Sequence, residues 1–480
     1  MKRNFVTNLA LLLFLNVLIK PVYAFGIDVG VQNAVGAIKY GNYFILLNFS
    51  LIFQILLDLG IENFSRREIA RHNHLLNQYF SNILPLKLIL GVLYFLVCSV
   101  AGLFMGWQAP EFKLLLVLLF NQFLASFILY FRANLGGMHM FRADSILSVI
   151  DKFVVIVICG LLLLDPVTHK AFRIEWLVYA QTAAYLIGAA IAFSLVFAQT
   201  ETVQFRIDLR YYRSFLRHSL PFALLILLMA TYLRIDSVLL GKLLVNGKEQ
   251  AGVYAQSFRI IEILSNYGYL FTLILLPVFS KMIKQGESVE QLTRLSFTLL
   301  MVPAIIVTFA CVIYRKEMMD VLYQEHVFDS AQVFGILIFS YPGMCITYIF
   351  GSLLTANGNL RQLNTMAFLA VSVNVILNVV LIKKYGVFGA AIASMTTQFF
   401  TSVYQILLAK RMFQFKVNYS LITRLILFIG LVATGALLIR LMPIPWLYSL
   451  GIYLLYAVTL SLALGLLKVK SMLGIVFSDK

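Results

Sequence analysis

Apolar runs of membrane-spanning length recur along almost the whole of this sequence, and they constrain its fold more than any other feature. A helix that crosses a hydrocarbon core needs about 20 predominantly apolar residues. Fourteen segments qualify, at about 6–28, 41–62, 81–105, 112–132, 145–164, 175–197, 217–241, 252–279, 294–314, 331–355, 362–382, 386–409, 421–441 and 446–467. The runs are continuous, without the alternation of a membrane β-barrel. Only 12% of residues are charged and 61% are hydrophobic, against roughly 25% charged in a soluble domain. The expectation is therefore an all-α integral membrane protein, which excludes soluble enzymes, disordered chains and disulfide scaffolds.

The net charge of +17 would suit a nucleic-acid partner. In a membrane protein, basic loops against anionic lipid explain it more simply. Lys and Arg divide between the two sets of loops roughly two to one, and the richer set is read as cytoplasmic. Together with an even number of spans, this places both termini in the cytoplasm. The opening MKRNFVTNLALLLFLNVLIKPVYA is read as a first span and not as a cleaved signal, because Lys20 and Pro21 interrupt its apolar stretch. Cys98, Cys159, Cys311 and Cys345 each sit in an apolar run without metal-type spacing and are read as core residues.

Two weak internal matches share one order. Gly41-Asn-Tyr43 opens the second span and Gly252-Val-Tyr254 the eighth, an offset of 211 residues; Ala133-Asn134 closes the fourth and Ala356-Asn357 the tenth. They divide the chain into parallel six-span repeats, an N-terminal lobe at 1–200 and a C-terminal lobe at 219–412. Two appended spans and a cytoplasmic tail fill 413–480. Residues 201–218 read as an amphipathic cytoplasmic linker helix. Arg206, Arg210, Arg213 and Arg217 fall on one face, and Phe205, Leu209, Tyr212 and Leu216 form a separate stripe.

The six histidines are scattered, and no HExxH, GxSxG, Walker or dinucleotide-binding loop is present. No cofactor, metal or catalytic group is expected, and the outward loops are short. Interest shifts to polar residues at membrane depth, which usually face protein or a watery cavity. The eighth span carries Arg259, Glu262, Asn266 and Tyr269 on one helical face. In the second, Ser50, Gln54, Asp58 and Glu62 follow at i+4 steps. Asn16 and Lys20 lie one turn apart in the first span, before a Pro21 that should kink it. Thr231 and Arg234 stand at i, i+3 in the seventh, with Asp236 pointing nearly opposite. Lys87 and Lys152 are read as snorkelling residues near span ends, and Asn374 with Asn378 as makers of interhelical hydrogen bonds. Lys20, Arg234, Arg259, Glu262 and Asn266 are the candidate substrate-binding residues; Asp58, Glu62 and Asp236 are candidates for coupling or gating.

Asp58-Leu-Gly-Ile-Glu-Asn-Phe-Ser-Arg-Arg-Glu-Ile-Ala-Arg71, after the early Gly41-Asn-Tyr43, resembles the second span and first inner loop of polysaccharide exporters of the MOP (multidrug/oligosaccharidyl-lipid/polysaccharide) superfamily. Leu233-Arg-Ile-Asp-Ser-Val-Leu-Leu-Gly241, Ala251-Gly-Val-Tyr-Ala-Gln-Ser-Phe-Arg259 and Tyr385-Gly-Val-Phe-Gly-Ala-Ala-Ile-Ala393 are similar in the same way. The likeness runs over essentially the whole chain. It implies a flippase that moves undecaprenyl-diphosphate-linked oligosaccharides, such as O-antigen or capsule units for lipopolysaccharide or surface glycan, across the cell inner membrane. It also implies alternating access around a cationic cavity, and glycosyltransferases and a glycan polymerase as partners in the pathway. The alternatives are a multidrug or organic-cation antiporter of the same superfamily, or a membrane glycan polymerase.

Overall fold

In hydrocarbon every backbone N–H and C=O must find a partner within the chain, and long apolar helices meet that demand segment by segment. The protein, seen as a computed structural model, is described for residues 14–62, 65, 69, 76–200, 208–416 and 418–467. Among these residues the regular elements are helices, and no strand occurs. Twelve helices are long and apolar enough to span a membrane. The other two expected spans are present as helices but fall outside that set. Ala37–Ile52 has only 16 residues. Val387–Phe413 carries buried Ser394, Thr397, Gln398, Thr401, Ser402 and Gln405 along its length. Lys2, Arg3, Arg66, Arg67, Arg71, Arg206 and the tail from Lys468 lie outside the described residues.

The contacts group into two compact units, Met1–Ala255 and Gln256–Lys480. In the first unit, Pro21 is followed by a seven-residue π-helix, Val22–Asp28, and then by an α-helix, Val29–Val35. Proline has no N–H to give the preceding turn, and the wider π ladder takes up the irregularity. The second span departs from its expected form. Its α-helix stops at Ile52, continues as a 3-10 turn over Gln54–Leu57, and reverses through Leu59 and Gly60, at φ 45° and 90°. Asp58 and Glu62 therefore do not continue a helical face from Ser50.

The helix expected over 201–218 is not separate where the structure describes it. Leu209–Leu243 is one helix that includes the seventh span and Pro221. Its first turns are amphipathic: Arg210, Arg213 and Arg217 are exposed. Tyr212 is buried with Leu84, Tyr130 and Val196, and Phe215 and Leu216 pack on the same cluster. The Tyr212 hydroxyl donates to the Asn82 carbonyl at 2.8 Å.

In the second unit, Leu360–Tyr385 and Val387–Phe413 form a tight antiparallel pair closed by Gly386. Between them Asn374 donates to the Thr397 hydroxyl at 3.3 Å, the interhelical bond expected of it. Asn378 bonds within its own helix, to the Asn374 carbonyl at 2.9 Å. The last two helices, Tyr419–Arg440 and Trp446–Ala463, dock on Glu290–Ile313. Tyr453 donates to the Ile306 carbonyl at 2.9 Å, Tyr314 and Ser449 share a hydrogen bond, and Arg440 pairs with Glu317.

Candidate functional site

Two glycines fix how the second and eighth spans cross inside the first unit. A methyl group on Gly41 would overlap the Lys248 carbonyl and crowd the Gly252 backbone, and one on Gly252 would overlap the Ala37 carbonyl. Ala37 and Lys248 are themselves 211 residues apart, so each glycine faces the repeat equivalent of its partner's neighbour. Gln32 adds a hydrogen bond to the Gly252 carbonyl at 2.9 Å, and Lys248 pairs with Glu111 at 2.5 Å.

Below this crossing, Arg234 donates through Nη1 to Asn48 Oδ1 at 2.9 Å, joining the seventh and second spans. Asp236, 1% exposed, accepts from the Tyr254 hydroxyl at 2.8 Å. Thr231 turns its hydroxyl to its own helix, on the Leu227 carbonyl, and does not reach Arg234 as a partner. Arg259, Glu262 and Asn266 belong to the second unit. Arg259 lies 3.4 Å from Glu262 as an i, i+3 pair, while Asn266 is exposed.

Asp58 has a structural place. Its carboxylate accepts from the backbone N–H of Gly60 at 3.0 Å and of Glu62 at 3.1 Å, which holds the turn after the 3-10 segment. It also lies 3.7 Å from the ammonium of Lys87. Lys87 does not snorkel: its side chain is 1% exposed, and Nζ donates to the Ser126 hydroxyl at 2.7 Å and carbonyl at 3.2 Å. The rings of Phe127 and Tyr130 flank it. A buried ammonium is held when carboxylate, hydroxyl and aromatic faces replace its water. Glu62 lies partly buried beyond the turn.

Lys152, expected to snorkel, is instead held by side chains of its own unit. It stands two residues into Ile150–Leu164, 3.0 Å from Asp151, with its ammonium over the rings of Tyr23 at 4.9 Å and Tyr185 at 5.7 Å. Gln181 bridges the hydroxyls of Tyr23 and Tyr43 at 3.2 and 3.1 Å. Arg132 is matched by Asp144 at 2.7 Å. Lys20, by contrast, makes no hydrogen bond or ion pair with any described residue. Its strongest electrostatic neighbours are Lys152, Asp151 and Arg132, in that order. Sequence reasoning singled out Lys20, read Lys152 as snorkelling, and did not single out Tyr23 or Tyr185. A cation two residues into a helix has the same local pattern whether it faces headgroups or a neighbouring span. Among the described residues no group of three or more His, Cys, Asp or Glu side chains forms a metal site.

A multi-pass helical membrane protein with irregular first and second spans and polar side chains at depth is the class that fold and site define. A family profile described as polysaccharide biosynthesis protein matches residues 6–283, and the chain belongs to that family. No curated relative is similar enough in sequence to align with it. Solved structures share the fold at low identity. The lipid II flippase MurJ in an inward closed conformation matches with TM-score 0.69 and 13% identity, covering 97% of this chain and 99% of that one. An inward-facing multidrug resistance MATE family transporter of the MOP superfamily matches with TM-score 0.63 and 13% identity, over 82% and 94%. A MOP superfamily transporter from Pyrococcus furiosus, whose binding pocket is described as reversed in polarity, gives 0.60 and 15%, over 85% and 95%.

Proposed function

We propose that the protein is a flippase, not an enzyme, that carries a polyprenyl-diphosphate-linked oligosaccharide across the cytoplasmic membrane by alternating access. The observation that carries this reading is Lys20, a cation in the first span of a polysaccharide biosynthesis family member, with no ion pair among the described residues. A charge at that depth costs at least ~2.5 kcal/mol on insertion scales, and an anionic cargo that must cross is what repays it. Lys20, Arg234 and Arg259 meet the diphosphate, Glu262 and Asn266 stand beside the path, and Asp58, Glu62 and Asp236 govern coupling or gating. Of these, Lys20 ranks first. Arg234 already serves Asn48 and Arg259 already faces Glu262. The oligosaccharide travels through the wet interior while the polyprenyl chain stays in lipid.

In this reading the lobes are 1–200 and 219–412, joined through 201–218, with 413–480 appended and both termini cytoplasmic. Anionic lipids face the exposed arginines of the linker. An organic-cation antiporter would need free carboxylates, but Asp144 and Asp151 are each held by a cation of their own unit.

The test is complementation of a deletion strain with Lys20→Ala, Arg234→Ala and Arg259→Ala, after each is shown to reach the membrane. A charge-assisted hydrogen bond contributes about 1.5–3 kcal/mol, so losing one that matters lowers export about tenfold or more. Full surface glycan from all three variants at normal levels would refute the cationic path. In the deletion strain, lipid-linked units facing the cytoplasm support a flippase, and units facing outward point to a missing polymerase.

A further inference from the structure

Asn16 and Tyr23 touch the fifth span on either side of Lys20. Asn16 donates to the Ser148 hydroxyl at 3.0 Å, one turn before Lys20, and the Tyr23 ring lies against the Lys152 ammonium, one turn after it. Ser148 and Lys152 are likewise one turn apart, so the two spans run side by side and Lys20 is bracketed opposite the 148–152 turn. Two lysines are thereby set on facing turns of the two spans, Lys20 exposed and Lys152 paired with Asp151. Arg132 is engaged by Asp144. Asp28, the other acid of the region, is two turns further along the first span and acts on Lys152. The Lys152 side chain is still 27% exposed and remains open to a ligand, whereas Lys87, the other deep lysine, is sealed.

Like charges on facing turns repel, and an anion between them relieves the repulsion. We propose that Lys152, steered by Tyr23 and Tyr185, is the second cation of the diphosphate seat begun by Lys20, with Asp151 as the resident anion that the diphosphate displaces. This rests on the flippase reading above and names residues that the reading did not include. The tyrosine faces fix the ammonium without neutralising it. The carboxylate keeps Lys152 tolerable while the seat is empty. When a diphosphate arrives, Lys152 exchanges Asp151 for phosphate oxygen, and Lys20 takes phosphate oxygen beside it.

The full-length protein in phosphatidylcholine nanodiscs, titrated with a polyprenyl diphosphate, tests this. Lys20→Gln and Lys152→Gln should each weaken binding about tenfold, because each loses one charge-assisted contact. Lys152→Arg should weaken it less. Asp151→Asn removes the competing anion and should tighten binding, which a purely structural Asp151–Lys152 pair would not do. Binding by Lys152→Gln equal to the wild type, or weakened binding by Asp151→Asn, overturns the proposal while leaving the flippase reading intact. Should Lys152→Gln fail to fold, the Asp151→Asn result decides alone. Wild-type protein that does not bind the polyprenyl diphosphate refutes both. Equal competition by phosphatidylglycerol or by inorganic diphosphate refutes the assignment of the seat to a diphosphate lipid.

Discussion

The second and eighth spans open on the same Gly-x-Tyr pattern and meet through the same pair of backbone contacts, yet the second breaks after Ile52 while the eighth continues as one helix over Gly247–Lys284. The sequences diverge where the structures do. The second span has Asp58-Leu-Gly60; at the same offset the eighth has Tyr269-Leu-Phe271. An aspartate can accept turn N–H groups and a glycine can enter positive φ at little cost. Tyrosine and phenylalanine do neither, so the eighth helix has no reason to stop. The break also needs support from outside itself. Ser126 donates to the Leu57 carbonyl at 3.2 Å, and Lys87 pairs with Asp58. Repetition of a pattern thus sets where the spans cross, and a few polar residues then decide which copy is broken.

The largest effect is expected at the shared crossing. Gly41→Val and Gly252→Val each drive a side chain into backbone, and each should cost about 3 kcal/mol or more, overpacking being costliest where backbone cannot yield. Membrane-inserted protein, read by quantitative blotting, should fall sharply in both. A strong defect at Gly41 with none at Gly252 would break the equivalence of the two spans.

Next comes the difference between them. Asp58→Ala leaves the buried Lys87 ammonium without its carboxylate, and removing one partner of a buried pair costs about 3–5 kcal/mol. Thermal unfolding in detergent should show this loss, and Lys87→Met combined with Asp58→Asn should recover much of it. Tyr269→Ala, at the matching place in the eighth span, should be milder. Equal losses at the two sites would mean that the Asp58 turn needs no lysine to hold it.

A smaller change is expected at the contact that ties the seventh span to the second. Asn48→Ala removes the acceptor of Arg234 and should lower stability by about 1 kcal/mol. Combined with it, Arg234→Ala should be less than additive, since the two share that bond. Clear additivity in a double-mutant cycle would show that Arg234 acts elsewhere.

The smallest effect should come from the arginines at the start of the seventh helix. Replacing Arg210, Arg213 and Arg217 together with Glu should change unfolding in detergent by less than about 0.5 kcal/mol per site, because all three are exposed. In anionic bilayers the same variant should accumulate less. Equal abundance in both settings would show that these arginines have no lipid to meet.

Hydropathy alone determined the helical class and most of the spans, because lipid leaves the backbone few other ways to satisfy its hydrogen bonds. The two Gly-x-Tyr openings were legible too, as was the break-prone Asp58-Leu-Gly60, whose meaning was not. Periodicity extended the second helix through Asp58 because it cannot register an Asp carboxylate turned back onto two backbone N–H groups. Tertiary structure decided the fates of the cations. Lys20, Lys87 and Lys152 are similar in local sequence, each a lone lysine in an apolar run. One is sealed by Asp58 and Ser126, one is caged by Asp151 and two tyrosines, and one lies between the Asn16–Ser148 and Tyr23–Lys152 contacts. Those partners lie up to well over a hundred residues away in the chain, so only the packing of distant helices could assign them.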